Sequence, residues 1–445
     1  MSNPLKERFM KNTSAVHYKL IFAVLLLFGL SLPLSKSVNS ALIGLVYLYF
    51  LAIAFFYSDF RKGIAGSINQ PLTIPIFLYV LVSVLGLFIS EDLLEGVRRV
   101  KTISNLLLIY IMVSTLMDLD KDTSSRFRRG EQLLLALLSG LFILDLIGFF
   151  TFFGIIGEDA YRLPLTPLSV HHIWFANLNA VGLYTAASLL LFSSYRRFPF
   201  LKIFIASFIL IGSFSILLST SRTAWLGMVV VVPLFAFFLF KKKKHFLISM
   251  LFMCGAALLL YLFNSTVHHR IDQIFSDISG FYSDSATVTS VGGRFMMWKA
   301  SWKMFLSNPL FGVGTGDYIA TVNRYVASGE FPGYLLEFNQ PHNIFIFALA
   351  TNGLFGLAAV LYLFYCIVRL SKGLLKSGSA DRLFGFVALP VAVHFMVAGL
   401  ADSLLHIHVL LCTFAFVLGV CVRRSNSGEE MKAGKMLKLN WICRK

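Results

Sequence analysis

Long apolar runs alternate along the chain with short polar, often basic, connections. Runs able to cross about 30 Å of hydrocarbon recur twelve times. They lie near residues 18–34, 41–57, 71–89, 103–117, 132–153, 173–194, 200–218, 223–240, 246–263, 343–368, 384–400 and 406–422. Each predicts a membrane helix, and no internal repeat relates them. The first follows a basic N-terminus, but no small-x-small cleavage site follows it, so it reads as a membrane helix and not a signal peptide. The one long polar interval is 264–341. The pattern therefore predicts an all-α polytopic membrane protein with about 12 transmembrane helices. Spans one to nine occupy 1–263, a loop with interfacial helices occupies 264–341, three further spans occupy 342–422, and a basic tail occupies 423–445.

Composition agrees with this reading. Of 445 residues, 57% are hydrophobic and 14% charged, with a mean hydropathy of +0.76, which excludes an ordinary soluble globule. The net charge of +17 belongs to loops and the tail, not to a nucleic-acid surface. With the N-terminus inside, 28 of the 39 Lys and Arg residues fall on the inner side, so the positive-inside rule puts both termini in the cytoplasm and 264–341 outside. Residues 90–102, with Arg98, Arg99 and Lys101, depart from the rule and read as an amphipathic helix on the outer face. None of the five cysteines lies in the long loop, so neither a disulfide framework nor a thiolate metal site is expected.

Two helix starts carry the candidate chemistry. Gln340-Pro341-His342-Asn343 runs into the tenth span, with Pro341, His342 and Asn343 read as its first turn, beside unpaired N–H groups. A neutral imidazole there can accept a proton, and the N–H groups suit an anion. Gly353 and Gly356, deeper in the span, suit close helix packing. Thr220-Ser221-Arg222-Thr223-Ala224-Trp225 opens the eighth span with a hydroxyl cap and a fixed charge. An arginine so near hydrocarbon tends to face the bundle interior or a polar cavity; snorkelling to headgroups is the plain alternative. Within the loop, Arg294, Trp298 and Trp302 share a helical face. The glycines of 308–316 suggest either a phosphate-binding nest or a plain turn. By topology Arg222, Arg294 and His342 share one compartment, which suits a pyrophosphate leaving group.

Other groups carry less. Asp118-Leu119-Asp120 has a metal-transferase spacing but falls on the inner side and reads as a solvated loop. His171-His172 and His268-His269 are adjacent pairs, poorly spaced for a metal. His406 and His408 suit lining or capping, and Asp402 suits a cap or a partner to the reacting centre.

These residues resemble a family. His342-Asn343, nine residues, then Gly353-x-x-Gly356-Leu357 resembles the signature of the bacterial O-antigen ligases. Ser221 to Trp225 and Arg294…Trp298…Asn308 to Gly314 resemble the wider superfamily of ligases, polymerases and O-oligosaccharyltransferases. The likeness is strongest from about 200 to 360. Phe175-Ala176-Asn177-Leu178-Asn179 departs from a related turn, because Leu178 replaces a proline. The resemblance implies a GT-C-like glycosyltransferase of the bacterial inner membrane, with its site and long loop in the periplasm. Its donor would be a polysaccharide on undecaprenyl pyrophosphate and its acceptor a lipid A–core sugar. Transfer would be inverting and would need neither cofactor nor metal. Arg222 and Arg294 would hold the pyrophosphate, and His342 would act on the acceptor hydroxyl. Asn343, Ser221, Trp298 and Asp402 stand as supporting candidates. An O-antigen polymerase or a protein O-oligosaccharyltransferase would use the same donor class. A twelve-span transporter fits the helix number but not the missing repeat and missing central loop.

Overall fold

The structure is a computed structural model, and it describes residues 4–120, 122–156, 161–240, 242–282 and 290–422. The basic tail at 423–445 lies outside the described residues. Among the described residues sixteen α-helices are present: α1 Pro4–Ser31, α2 Lys36–Phe56, α3 Ser58–Ile68, α4 Thr73–Leu85, α5 Leu93–Leu119, α6 Thr123–Phe152, α7 His172–Phe192, α8 Pro199–Ser219, α9 Arg222–Leu239, α10 Lys243–Phe263, α11 Ser265–Tyr282, α12 Ser290–Ser307, α13 Tyr318–Ala327, α14 Ile344–Lys376, α15 Ser379–Ala398 and α16 His408–Val420. Among the described residues the fold is 83% helix, with no strand.

Each apolar run meets a helix, but the helices differ in reach. Nine of the described helices are long and apolar enough to cross a membrane: α2, α5 to α10, α14, and α15 from Asp381. The run at 71–89 is one arm of a pair, Ser58–Ile68 and Thr73–Ile89, bent by 79°; counted as one span it brings the total to ten. The first and last runs meet shorter apolar helices, Ala15–Ser31 and His408–Val420. At 1.5 Å per residue, the thirteen residues of the latter rise only about 20 Å. It lies buried against α5 instead of spanning alone.

The sequence expectation for 90–102 needs correction. No separate surface helix forms there, because α5 runs unbroken from Leu93. Asp92 caps it by accepting the Glu95 N–H at 3.0 Å, and Glu95 pairs with Arg99 at 3.0 Å one turn on. The first turns of α5 thus extend a helix long and apolar enough to cross a membrane. Asp120 is not a solvated loop residue either, since its carboxylate meets Arg129 at 3.1 Å.

The core is built from α5, α6, α7, α14, α15 and α16, whose facing side chains are fully buried. By contrast α10 buries none of its residues, an apolar cylinder with every face outward. Such a helix is stable only in lipid or against a partner. The described residues of 264–341 form a smaller layer of α11, α12 and α13, whose core (Met297, Ala300, Met304, Tyr318, Val322) continues into Phe347 and Ala350 of α14.

Candidate functional site

Asn343 sets the start of α14. Its backbone is extended (φ −159°, ψ 120°), and its Oδ1 accepts the N–H groups of Phe345 and Ile346 at 2.9 and 3.0 Å. Asparagine is a strong N-cap for this reason. Pro341 and His342 therefore precede the helix, and the expectation that they form its first turn is overturned. His342 instead sits in the left-handed region at φ 50°, a conformation of higher energy for a non-glycine residue. Its neighbours hold it there. Asn343 N–H donates to Ser403 Oγ (3.1 Å), Asn343 Nδ2 donates to the Leu400 carbonyl (3.0 Å), and Trp298 Nε1 donates to the Pro341 carbonyl (2.9 Å).

The turn after α15 supplies the partner. Asp402 is buried, and its Oδ1 lies 2.9 Å from His342 Nδ1 while also accepting the Ser403 N–H at 2.8 Å. With Nδ1–H donating to the carboxylate, Nε2 is left as the acceptor. Phe338 packs edge-on to the imidazole, with centroids 5.8 Å apart.

A second wall comes from α7, α8, α9 and α11. Thr220 ends α8 in the left-handed region at φ 53° and turns the chain into Ser221 and Arg222. Ser221 occupies the N-cap position, but its hydroxyl pairs with Thr223 Oγ1 at 3.0 Å and caps no helix N–H. Thr223 in turn contacts Asn177 Nδ2 at 3.4 Å, and Asn177 Oδ1 accepts from the buried His394 at 2.8 Å. With Leu178 in place of a proline, α7 runs straight through this position. A polar network therefore underlies the helix start that carries Arg222.

Arg270 of α11 joins this wall, donating to Thr220 Oγ1 at 3.2 Å. Burial and then the neighbouring Arg222 charge lower the Arg270 guanidinium from its ordinary value, so two cations share one small region. His172 Nδ1 lies 3.0 Å from the Ser219 carbonyl, and its ring is 4.6 Å from that of His171. Burial pushes His171 down, with Asp402 opposing and His342 reinforcing the shift. His172 thus touches the end of α8 that Arg270 also touches, and His171, packed on it, lies within electrostatic reach of His342 and Asp402. Arg294 lies one turn before Trp298 on α12, half-buried, on the face that Trp298 ties to Pro341.

The glycine segment 308–316 binds backbone, not phosphate. Inside α14 the helix breaks at Gly353 (φ 61°, ψ −153°). Val313 and Gly314 donate to the Ala350 and Thr351 carbonyls at 2.9 and 3.0 Å, closing the first half. The Pro309 carbonyl accepts the Leu354 N–H at 2.9 Å and opens the second. Of the two readings left open for these glycines, the nest is not seen: the segment is spent on satisfying an interrupted helix. Gly353 is a break point, not a smooth packing position. Beyond the clamp, buried Asp317 accepts the N–H groups of Glu91 and Asp92, both at 2.8 Å, at the entry to α5.

The structure brings His342, Asn343, Asp402 and Trp298 together, and Arg222 with Ser221. Arg270 and Asp317 are additions, and His171, weighed only as a metal ligand, joins them. The only sequence signal for Arg270 is an amphipathic segment after a membrane run, and for His171 an aromatic pair at a helix start. His268 instead pairs with Asp272 of its own helix at 3.0 Å.

Comparison with known proteins falls on the same part of the chain. Residues 206–361 match the family model described as O-Antigen ligase, a segment holding Arg222, Arg270, Arg294, His342 and the α14 break. An uncharacterized protein of Haemophilus influenzae is 23% identical over 380 residues, covering 82% of this chain and 88% of that protein. An O-antigen ligase of Escherichia coli is 22% identical over 179 residues, covering 37% of this chain and 42% of that enzyme.

Proposed function

We propose that this chain, whose 206–361 segment is that of the O-antigen ligase family, is a membrane glycosyltransferase. It transfers a polysaccharide from undecaprenyl pyrophosphate to a lipid A–core sugar at the periplasmic face of the inner membrane. One observation carries the reading: a histidine with its Nδ1 on a buried carboxylate stands across a histidine pair from two clustered arginines.

The chemistry follows from these positions. Arg222 and Arg270, with Arg294 from the loop layer, take the pyrophosphate oxygens, where planar forks grip two oxygens each. The acceptor hydroxyl approaches Nε2 of His342. Its oxygen attacks the anomeric carbon from the side opposite the pyrophosphate. The bond from that carbon to the leaving oxygen breaks, its electron pair passes to the pyrophosphate, and the hydroxyl proton moves to Nε2. Asp402 fixes the ring and stabilises the imidazolium as it forms. The arginines stabilise charge that grows on the leaving group, the term that most lowers such barriers. The configuration inverts, and the preformed sugar–pyrophosphate bond drives transfer.

Purified protein reconstituted with both lipids tests this. The expected product is polymer on lipid A–core with release of undecaprenyl pyrophosphate. Extension of the glycan on undecaprenyl, with none on core, would make the protein a polymerase instead.

A further inference from the structure

A cavity of about 620 Å³ reaches Asn339 and Gln340, just before His342 in the chain, and lies between the α1–α2 turn, the first turns of α5, the segment before α7, and residues 406–409. Its volume falls in the range of about 300–1,000 Å³ typical of small-molecule sites. Asn339 and Gln340 form part of the wall, so it adjoins the strand of chain that delivers His342.

The lining is cationic and amphipathic. Lys36, Arg98 and Arg99 face one carboxylate, Glu95, and Trp174 and Val170 add an apolar side. Glu95 is committed chiefly to Arg99, at 3.0 Å against 3.7 Å for Arg98. Arg99 is packed into the wall: it donates to the Asn339 carbonyl at 3.0 Å and lies over the Phe347 ring. Arg98 is different, with a side chain 68% exposed. Lys36 is exposed too, at the first position of α2, where the helix dipole disfavours a cation. Two under-compensated cations at the rim and an indole on the wall match a sugar bearing a phosphate.

We propose that this cavity holds an anionic, phosphorylated sugar of the acceptor, with Lys36 and Arg98 on the phosphate and Trp174 against the ring. A neighbouring hydroxyl of the same glycan then reaches His342. The assignment rests on the transferase reading for its purpose, but the binding it describes is separable from turnover.

The test uses the full chain in phosphatidylcholine nanodiscs, titrated with phosphorylated lipid A–core and with the same lipid after phosphate removal. Wild type should bind the phosphorylated form at least about tenfold more tightly, the equivalent of one charge-assisted contact. The double variant Lys36→Glu, Arg98→Glu should erase that preference. In turnover it should raise the KM for acceptor while leaving kcat and the KM for donor unchanged, an effect a folding defect would not produce. Adding phosphatidylglycerol to the nanodiscs should leave binding intact. Equal affinity for both forms of the lipid overturns the proposal, and full displacement by phosphatidylglycerol makes the cavity a headgroup site. If wild type prefers the phosphorylated lipid but transfers nothing to it, the cavity assignment holds and the transferase reading falls. Normal acceptor KM in the double variant has the opposite meaning.

Discussion

Gly312 and Gly353, each at positive φ (70° and 61°), press on each other's flanking backbone, Gly312 on residues 350–352 and Gly353 on residues 310–311. A Cβ on Gly353 would lie 2.3 Å from the Leu310 carbonyl carbon, and one on Gly312 would lie 2.5 Å from the Ala350 oxygen. Neither neighbour is a flexible side chain that can step aside.

Alanine at either position should therefore destabilise the protein by at least about 1–3 kcal/mol, the cost of one strained backbone residue. Gly373, later in the same helix with nothing within 4 Å of its Cβ position, is the control. There alanine should be neutral or stabilise by about 1 kcal/mol through helix propensity. Thermal melts of detergent-purified variants measure the contrast. Equal melting of Gly353→Ala and Gly373→Ala would show that the clamp imposes no constraint.

Loss of the imidazole should cost roughly 10²–10⁴-fold in rate if it takes the acceptor proton. His342→Ala should insert and fold normally yet leave polymer on undecaprenyl pyrophosphate. His342→Gln separates holding the hydroxyl from accepting its proton, and substantial activity in Gln favours holding. Asp402→Asn should also slow turnover, because an amide can donate to Nδ1 and favour the wrong tautomer. Near wild-type turnover by purified His342→Ala would remove this residue from the chemistry.

Much of this site could be read in the sequence because its parts are local. Asn343 beside His342, and Ser221 beside Arg222, are signals a few residues long, and helix starts announce themselves through capping residues. The twelve apolar runs located helices but not their reach, because hydropathy does not tell a short buried helix such as α16 from a spanning one. What stayed hidden is non-local. Asp402 is a candidate by residue type, but its pairing with His342 spans 60 residues, and Arg270, not a candidate, lies 50 from Thr220. The break at Gly353 has a signal in the turn dipeptide Asn352-Gly353, outweighed by the long apolar runs on both sides. Only the arrival of 308–314 makes a break affordable.

The arginines should not be equivalent. Arg222→Ala should abolish transfer, and Arg222→Lys should recover only a small part, since lysine keeps the charge but loses the fork. Arg294→Ala should also be severe, with Lys better tolerated from the loop layer. Arg270→Ala should weaken donor binding more than turnover, read as a rise in donor KM. Full activity in well-expressed Arg222→Ala and Arg294→Ala would move the pyrophosphate elsewhere.

Orientation is tested with single cysteines in a background lacking the native ones. Positions in 264–282 and 290–341 should react with a membrane-impermeant thiol reagent in cells with a permeable outer membrane. Positions 242–244 should react only after the inner membrane is opened. The reverse pattern would separate the donor from the proposed site.

Asp317 has a consequence for how the protein is made. The N–H groups it satisfies, at Glu91 and Asp92, lie 226 and 225 residues earlier. A chain emerging from the ribosome completes α4 and α5 long before that carboxylate exists. Their junction must wait while α6 to α10 are inserted and α11 and α12 are made. Final assembly of the early helices is thus timed by the late loop layer, and a nascent chain stalled before residue 317 should present an open, protease-sensitive α4–α5 junction.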